Sequence, residues 1–142
     1  MSKIFYDKSI IDQIFDEFRK DKDEHDTDKL IKLITILPPE DVNIQNINGL
    51  SILIYASYDD YIEIVKLLLE KEGIDVNICD NSNSTALILA SFYGYTKIVK
   101  LLLNRKDIDV NIQDICGSTA LMYASRYNYT EIVELLENHK SD

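Results

Sequence analysis

The sequence predicts an all-α solenoid, a stack of short helix pairs linked by hairpin turns, and internal repetition is the main reason. The tetrapeptide Asp-Val-Asn-Ile begins at positions 41, 75 and 109, which gives a period of 34 residues. Residues 75–108 align without a gap on residues 109–142 with 20 identities, and residues 41–74 align on 75–108 with 16. Such a period is typical of units that bury their apolar sides on one another. We therefore expect a single domain of four units, 1–40, 41–74, 75–108 and 109–142.

Each full unit carries the same local signals in the same order. A polar turn ends at Gly49, Asn83 or Gly117, and these residue types adopt the left-handed backbone of a tight turn. A hydroxyl residue two positions later is expected to begin a helix, because its side chain accepts a hydrogen bond from a free backbone amide. These hydroxyl residues are Ser51, Thr85 and Thr119. The predicted helix pairs are 52–58 with 62–69, 86–93 with 96–103, and 120–127 with 130–136.

The two ends of the chain are predicted to cap the stack. Residues 9–20 place apolar side chains on one stripe of a helix, with Glu17 among the polar residues of the opposite face. A second helix is predicted over 28–37, before two consecutive prolines. We therefore expect 1–40 to be a degenerate first repeat. At the other end, Glu137 stands where the two preceding units have leucine, so we expect the stack to end with this unit.

The charge of the chain narrows the class of partner. Aspartate and glutamate number 25 against 15 lysines and arginines, which leaves a net charge of −10. Nucleic acids are bound by cations that displace counterions from phosphates, and anionic membrane surfaces attract basic segments. An acidic chain of this kind is therefore not expected to bind either of them. The sequence also lacks the run of roughly 18–20 apolar residues that a membrane-spanning helix needs.

The repeats resemble the ankyrin repeat family. The pattern Asp-x-x-Gly-x-Thr-Ala-Leu-x-x-Ala-Ser at 114–125, followed by Tyr-Thr-Glu-Ile-Val-Glu-Leu-Leu at 129–136, carries the resemblance, and it extends with some loss over 41–142. All three full units depart from the family's Thr-Pro-Leu-His motif in the same way, because the proline and the histidine are both replaced. We expect packing of the residues at the histidine position to replace its hydrogen bonds. Those residues are Ile54, Ile88 and Met122.

The resemblance implies a binding mode. In ankyrin repeat proteins, partners dock on the concave side formed by the hairpin tips and the first helix of each unit. Five contact positions in each of the three full units follow from it. They are Ile47, Asn48, Leu50, Tyr58 and Asp59; Asn81, Ser82, Ser84, Phe92 and Tyr93; and Ile115, Cys116, Ser118, Arg126 and Tyr127. Aromatic residues and arginine are favoured at binding hot spots. In the alternative interpretation, the aromatic residues at these positions only shield the helix ends.

Groups that could support catalysis or bind a metal are sparse. The only histidines are His25 and His139, and Cys79 and Cys116 lie 37 residues apart at non-equivalent turn positions. No metal-binding cysteine or histidine pair and no glycine-rich phosphate loop occurs. The acidic segment 21–28 lacks the central glycine and the alternating carboxylates of a calcium loop. We therefore expect no enzymatic activity, no metal and no cofactor.

Composition gives the remaining expectations. Two cysteines make no disulfide framework, which favours reduced thiols in an intracellular, cytoplasmic protein. Frequent isoleucine, asparagine and lysine favour an A+T-rich genome, such as that of a virus, an intracellular bacterium or a parasite. We expect a monomeric, non-catalytic module that binds another protein. A self-associating scaffold and a host-directed effector, acting in the host cytoplasm or nucleus, are the alternatives.

Overall fold

The computed structural model describes residues 8–140, which form eight α-helices in four consecutive pairs. Residues 1–7 and 141–142 of the predicted terminal units lie outside the described residues. The first helices of the four pairs are α1 (Ile10–Arg19), α3 (Ile52–Tyr58), α5 (Ala86–Tyr93) and α7 (Ala120–Arg126). The second helices are α2 (Thr27–Ile36), α4 (Ile62–Leu69), α6 (Thr96–Leu103) and α8 (Thr130–Lys140). The predicted all-α solenoid is confirmed, whereas the exact unit boundaries stay a prediction.

The helices lie in two layers. The first helices α1, α3, α5 and α7 pack on one another in chain order, and so do α2, α4, α6 and α8. The core between the layers is built from equivalent positions of successive units, including the fully buried Leu68, Leu102 and Leu136. Ala56 and Ala90 are also fully buried, which lets neighbouring first helices approach closely. Each unit thus buries its apolar side on the next one.

The first helices of the three full units begin at the predicted hydroxyl residues and end at residues with a left-handed backbone. Side-chain oxygens of Ser51, Thr85 and Thr119 accept hydrogen bonds from the backbone amide three residues later, at 3.2, 3.2 and 3.3 Å. Asp60 and Asn128, which follow α3 and α7, have φ values of 60° and 59°. Both residues therefore adopt the left-handed conformation that ends a helix.

The β-hairpin of the predicted fold class is reduced to a tight turn, and the described residues contain no strand. In the turn of the second full unit, the Asp80 amide donates to the Ser84 carbonyl at 3.0 Å, and the Asn83 amide donates to the Asp80 carbonyl at 3.0 Å. The Asp80 carboxylate also accepts from the amides of Ser82 and Ser84. The aspartate side chain thus closes the turn. The segments on either side of the turn are too short to form a β-ladder.

The asparagine of the repeated Asp-Val-Asn-Ile segment joins neighbouring units. Asn77 donates from its side-chain nitrogen to the Asp107 carbonyl at 2.7 Å and accepts from the Asp109 amide at 2.8 Å. Asn43 makes the same pair of hydrogen bonds with the Gly73 carbonyl and the Asp75 amide. The asparagine side chain of this segment therefore ties each unit to the start of the next one.

The prediction that Glu17 lies on the exposed polar face of α1 is wrong. Its side chain is buried and only 1% exposed. The carboxylate accepts hydrogen bonds from Lys20 at 2.8 Å and from the Asp26 backbone amide at 2.9 Å, and it lies 3.2 Å from the Lys29 ammonium. Burial raises the pKa of this carboxyl, but these contacts outweigh it and lower the pKa to about 2. Glu17 therefore links α1 to the start of α2 as an ionised group.

Met122 contradicts the prediction that packing at this position replaces the hydrogen bonds of the family's histidine. Ile54 and Ile88, at the equivalent positions of the preceding units, are buried. Met122 is 48% exposed. The reason is its place in the stack, since α5 lies between α3 and α7, whereas α7 packs on α5 and α8.

Two buried hydroxyl groups give a prediction about stability. Ser57 and Ser91 occupy equivalent positions in α3 and α5, are fully buried, and have no hydrogen-bond partner for their Oγ atoms. Because alanine removes an unsatisfied polar atom and favours helix, Ser57→Ala and Ser91→Ala should leave the free energy of unfolding unchanged or raise it by about 1 kcal/mol. Urea denaturation measures this. In the control Ser51→Ala the lost helix cap should cost about 1 kcal/mol, and an equal loss in all three variants would contradict the prediction.

Candidate functional site

The turn tips carry the most exposed apolar side chains of the predicted contact set. Ile47 is 92% exposed and Ile115 is 72% exposed at equivalent positions two units apart. Neighbouring tips are joined by backbone hydrogen bonds from the Asn81 amide to the Asn48 carbonyl, at 3.2 Å, and from the Ile115 amide to the Ser82 carbonyl, at 3.0 Å. These bonds align the tips in one row, so the two isoleucines lie on a continuous edge.

The remaining predicted tip residues differ in accessibility. Asn48, Asn81, Ser82 and Cys116 are exposed, and Leu50 is half-buried. Ser84 and Ser118 are buried, because each lies on the return side of the turn with its amide bound by the aspartate that closes it. The two serines therefore offer less contact area than their sequence position suggested.

The ends of the first helices carry an aromatic stripe formed by Tyr58, Phe92, Tyr93 and Tyr127. Ring centroids lie 5.3 Å apart for Tyr58 and Tyr93, 4.8 Å for Phe92 and Tyr93, and 5.2 Å for Phe92 and Tyr127. All three contacts are edge-to-face, the arrangement that aromatic pairs prefer. Tyr58, Tyr93 and Tyr127 are exposed, whereas Phe92 is half-buried between them. The stripe is thus a continuous, rigid aromatic surface across three units.

A hollow of about 270 Å³ separates the tips from the aromatic stripe. It lies between the second and third full units, and six of the predicted contact residues line it: Ser82, Ser84, Phe92, Tyr93, Ile115 and Cys116. Its other walls are Ile88, Leu89, Asp114 and Tyr123. Sites for small molecules usually reach about 300–1,000 Å³. The hollow lies just below this range.

Tyr123 lines the hollow but is absent from the predicted contact set. Its hydroxyl donates a hydrogen bond to the carboxylate of Asp114, which also accepts from the amides of Cys116 and Ser118. Burial raises the pKa of Asp114, but these hydrogen bonds outweigh it, so the pKa is lowered and the group stays ionised. The guanidinium of Arg126 lies 5.2 Å from the Tyr123 ring centroid. The signal was present, since Tyr123 precedes Arg126 by three residues on the same helix face.

The other end of the aromatic stripe is acidic. The Asp59 side chain is 11% exposed, and its carboxylate lies 3.9 Å from the Lys22 ammonium. Burial raises the pKa of Asp59, while Lys22 and His25 act in the opposite direction. Burial, hydrogen bonding with Tyr58 and the charge of Asp59 raise the pKa of Tyr93 to about 12. The Tyr93 hydroxyl therefore remains protonated at neutral pH, beside the Asp59 carboxylate.

The residues that could carry other chemistry are dispersed. His25 hydrogen-bonds through its ring nitrogens with the Tyr61 hydroxyl and with the Lys20 carbonyl. Cys79 is half-buried and Cys116 is exposed, and burial raises the pKa of the Cys79 thiol. Between residues 8 and 140 no group of three or more histidine, cysteine, aspartate or glutamate side chains is arranged to hold a metal ion. In the same range, no helix has the length and apolarity to cross a membrane.

Comparison with known proteins identifies the repeats. Residues 22–114 match a family model described as ankyrin repeats in three copies, and residues 93–142 match a second model described as ankyrin repeats in many copies. A search of curated proteins gave no significant match. The first match alone covers more than half of the chain, and the stacked helix pairs agree with it. The chain therefore belongs to the ankyrin repeat family.

Proposed function

We propose that this chain is a non-catalytic module that binds a protein partner through the row of turn tips and the aromatic stripe. Ankyrin repeats are generally protein–protein interaction modules. The observation that carries the proposal is the exposure of Ile47, Ile115, Tyr58 and Tyr93, which the fold does not need as apolar or aromatic residues. Rigid aromatic side chains beside a hollow are the usual anchors of protein interfaces.

The dimensions of this surface suit a protein better than a small ligand. It extends over three units, from the exposed Ile47 to the exposed Tyr127. Packed helices are about 8–10 Å apart, so three units span roughly 20–30 Å. A surface of that length can contribute the roughly 800 Å² per partner of a typical interface. We propose a monomer in an intracellular compartment as the acting form, with reduced Cys79 and Cys116.

A capture experiment tests the proposed surface. The double substitution Phe92→Ala/Tyr93→Ala should weaken the free energy of binding by at least about 2 kcal/mol for each ring that is removed. Recovery of the partner from a matched cell lysate should therefore fall at least about tenfold. Quantitative mass spectrometry measures the recovery of each captured protein.

Two further variants make the capture experiment decisive. Ile36→Ala removes a 63% exposed isoleucine from α2, in the other layer, and should recover the same partners as the wild type. Ile47→Ser/Ile115→Ser alters only exposed tip residues, so it weakens capture without disturbing the core. Equal recovery of every protein by all variants would contradict the proposed surface. Light scattering on the wild type and on Phe92→Ala/Tyr93→Ala separates it from self-association, since a dimer that the double substitution dissociates would indicate that a second copy covers the stripe.

A further inference from the structure

The surface that carries the aromatic stripe is negatively charged. Asp59 and Asp60 lie at the end of α3, and Asp80 and Asp114 close the turns opposite. Arg126 contributes a cation to this surface. Residues 41–142 as a whole hold fifteen acids and eight bases, a net charge of −7. A field of this sign draws a cationic partner towards the surface and opposes an anionic one.

Asp59 is a largely shielded carboxylate, 11% exposed, with a long ion pair to Lys22. Glu17 is buried more deeply, with a side chain 1% exposed against 11% for Asp59, but two lysines and a backbone amide lie within 3.2 Å of it. Asp59 has the ammonium of Lys22 at 3.9 Å, and that lysine side chain is 69% exposed. A largely shielded carboxylate whose ion-pair partner lies at 3.9 Å keeps free acceptor capacity. An additional cation beside it would be stabilised more strongly than at an exposed acid.

The chain already contains one example of a cation bound on this surface. The Arg126 guanidinium lies over the Tyr123 ring, and its charge helps to lower the pKa of Asp114. In the first full unit the position equivalent to Arg126 is Tyr58, next to Asp59. This end of the stripe therefore offers a ring and a carboxylate but lacks a guanidinium at the equivalent position. Cations are attracted to aromatic faces, most strongly where water is excluded.

We propose that the partner is a basic protein segment that places a lysine or arginine side chain on the acidic tyrosine patch, formed by Tyr58, Asp59, Asp60 and Tyr93. This inference rests on the proposed function and specifies the chemistry of the partner. The cation lies beside the Asp59 carboxylate and against an exposed tyrosine ring. Apolar side chains of the same segment fill the hollow next to Ile115.

Selection from a phage-displayed library of random dodecapeptides on the immobilised full chain tests the inference. Peptides that also bind Phe92→Ala/Tyr93→Ala, or that bind Ile47→Ser/Ile115→Ser as well as the wild type, are discarded. The peptides that remain should carry at least about twice the lysine and arginine content of the unselected library. One of them, synthesised with a fluorescent label, should bind at least about tenfold more weakly when NaCl rises from about 50 to about 300 mM.

Charge variants assign the effect to the patch. Asp59→Asn/Asp60→Asn should weaken binding of the labelled peptide about fivefold, whereas Glu70→Gln/Glu72→Gln, with the same change in net charge, should change it less than about twofold. Selected peptides that are neutral or acidic would overturn the inference and leave the proposed function standing. Equal weakening by both pairs would also overturn it, because net charge alone would then explain the binding. If no peptide depends on the stripe and the tips, both proposals fail.

Discussion

Glu17→Gln should lower the free energy of unfolding by about 2–3 kcal/mol, although the substitution preserves the size of the side chain. The buried carboxylate accepts hydrogen bonds from Lys20 and from the Asp26 amide, and Lys29 lies 3.2 Å away. Glutamine keeps an acceptor for the amide but loses the charge that both lysines neutralise. Urea denaturation followed by circular dichroism measures the difference.

The neighbouring residue supplies the control for Glu17. Asp16 lies on the same helix and forms exposed ion pairs with Lys8 and Arg19. Surface pairs of this kind contribute little to stability. Asp16→Asn should therefore change the free energy of unfolding much less than Glu17→Gln. Equal effects of the two substitutions would contradict a special role of the buried carboxylate.

The pH dependence gives Glu17 a second, independent readout. Its pKa is about 2 in the folded chain, below the ordinary value of 4.5, so the ionised form stabilises the fold. This contribution, about 3 kcal/mol by linkage, is fully present above pH 4.5 and is lost as the pH falls towards 2. In Glu17→Gln the free energy of unfolding should fall less steeply over that range. Parallel curves for the two proteins would exclude Glu17 as the titrating group.

The fold was predictable because repetition supplies several copies of each signal. The hydroxyl caps at 51, 85 and 119 and the left-handed turn residues at 49, 83 and 117 recur in register, and the structure confirms each of them. Glu17 was misplaced because helix periodicity describes one helix alone. Its burial depends on Lys29 and the Asp26 amide, which come from the following segment. A polar residue can lie in a core when another element brings its partners, and the sequence pattern of one helix does not contain that information.

The sequence likewise predicted one part of the candidate site and missed another. The resemblance to ankyrin repeats implied the tip and helix-end residues, and the structure brings six of them to one hollow. The burial of Ser84 and Ser118 and the contribution of Tyr123 depend on how the turn folds back over the helix. The ion pair of Asp59 depends on Lys22, which lies in a short 3₁₀ helix between α1 and α2. That segment has no counterpart in the other units, so repetition could not place it.

Gly49→Ala should lower the free energy of unfolding by about 3 kcal/mol, far more than a single methyl group on an exposed turn usually costs. Gly49 has a φ of 76°, a conformation that is unfavourable for alanine by about 1 kcal/mol. A Cβ atom there would also lie 2.7 Å from the Asn81 backbone nitrogen and 3.0 Å from the Asp80 carbonyl carbon. Backbone atoms cannot rotate away, so the tips must separate and the bond between Asn81 and Asn48 must lengthen.

Gly117 isolates the inter-unit part of this effect. It is the equivalent residue two units later, it has the same φ of 76°, and a Cβ atom there would meet nothing within 4 Å. Gly117→Ala should therefore lower the free energy of unfolding by only about 1 kcal/mol, the cost of a left-handed backbone in alanine. Chemical denaturation gives the free energy of unfolding of both variants. The difference between them measures the cost of separating the tips of the first two full units. Equal losses would mean that the turns tolerate separation and that the row of tips contributes little to the stack.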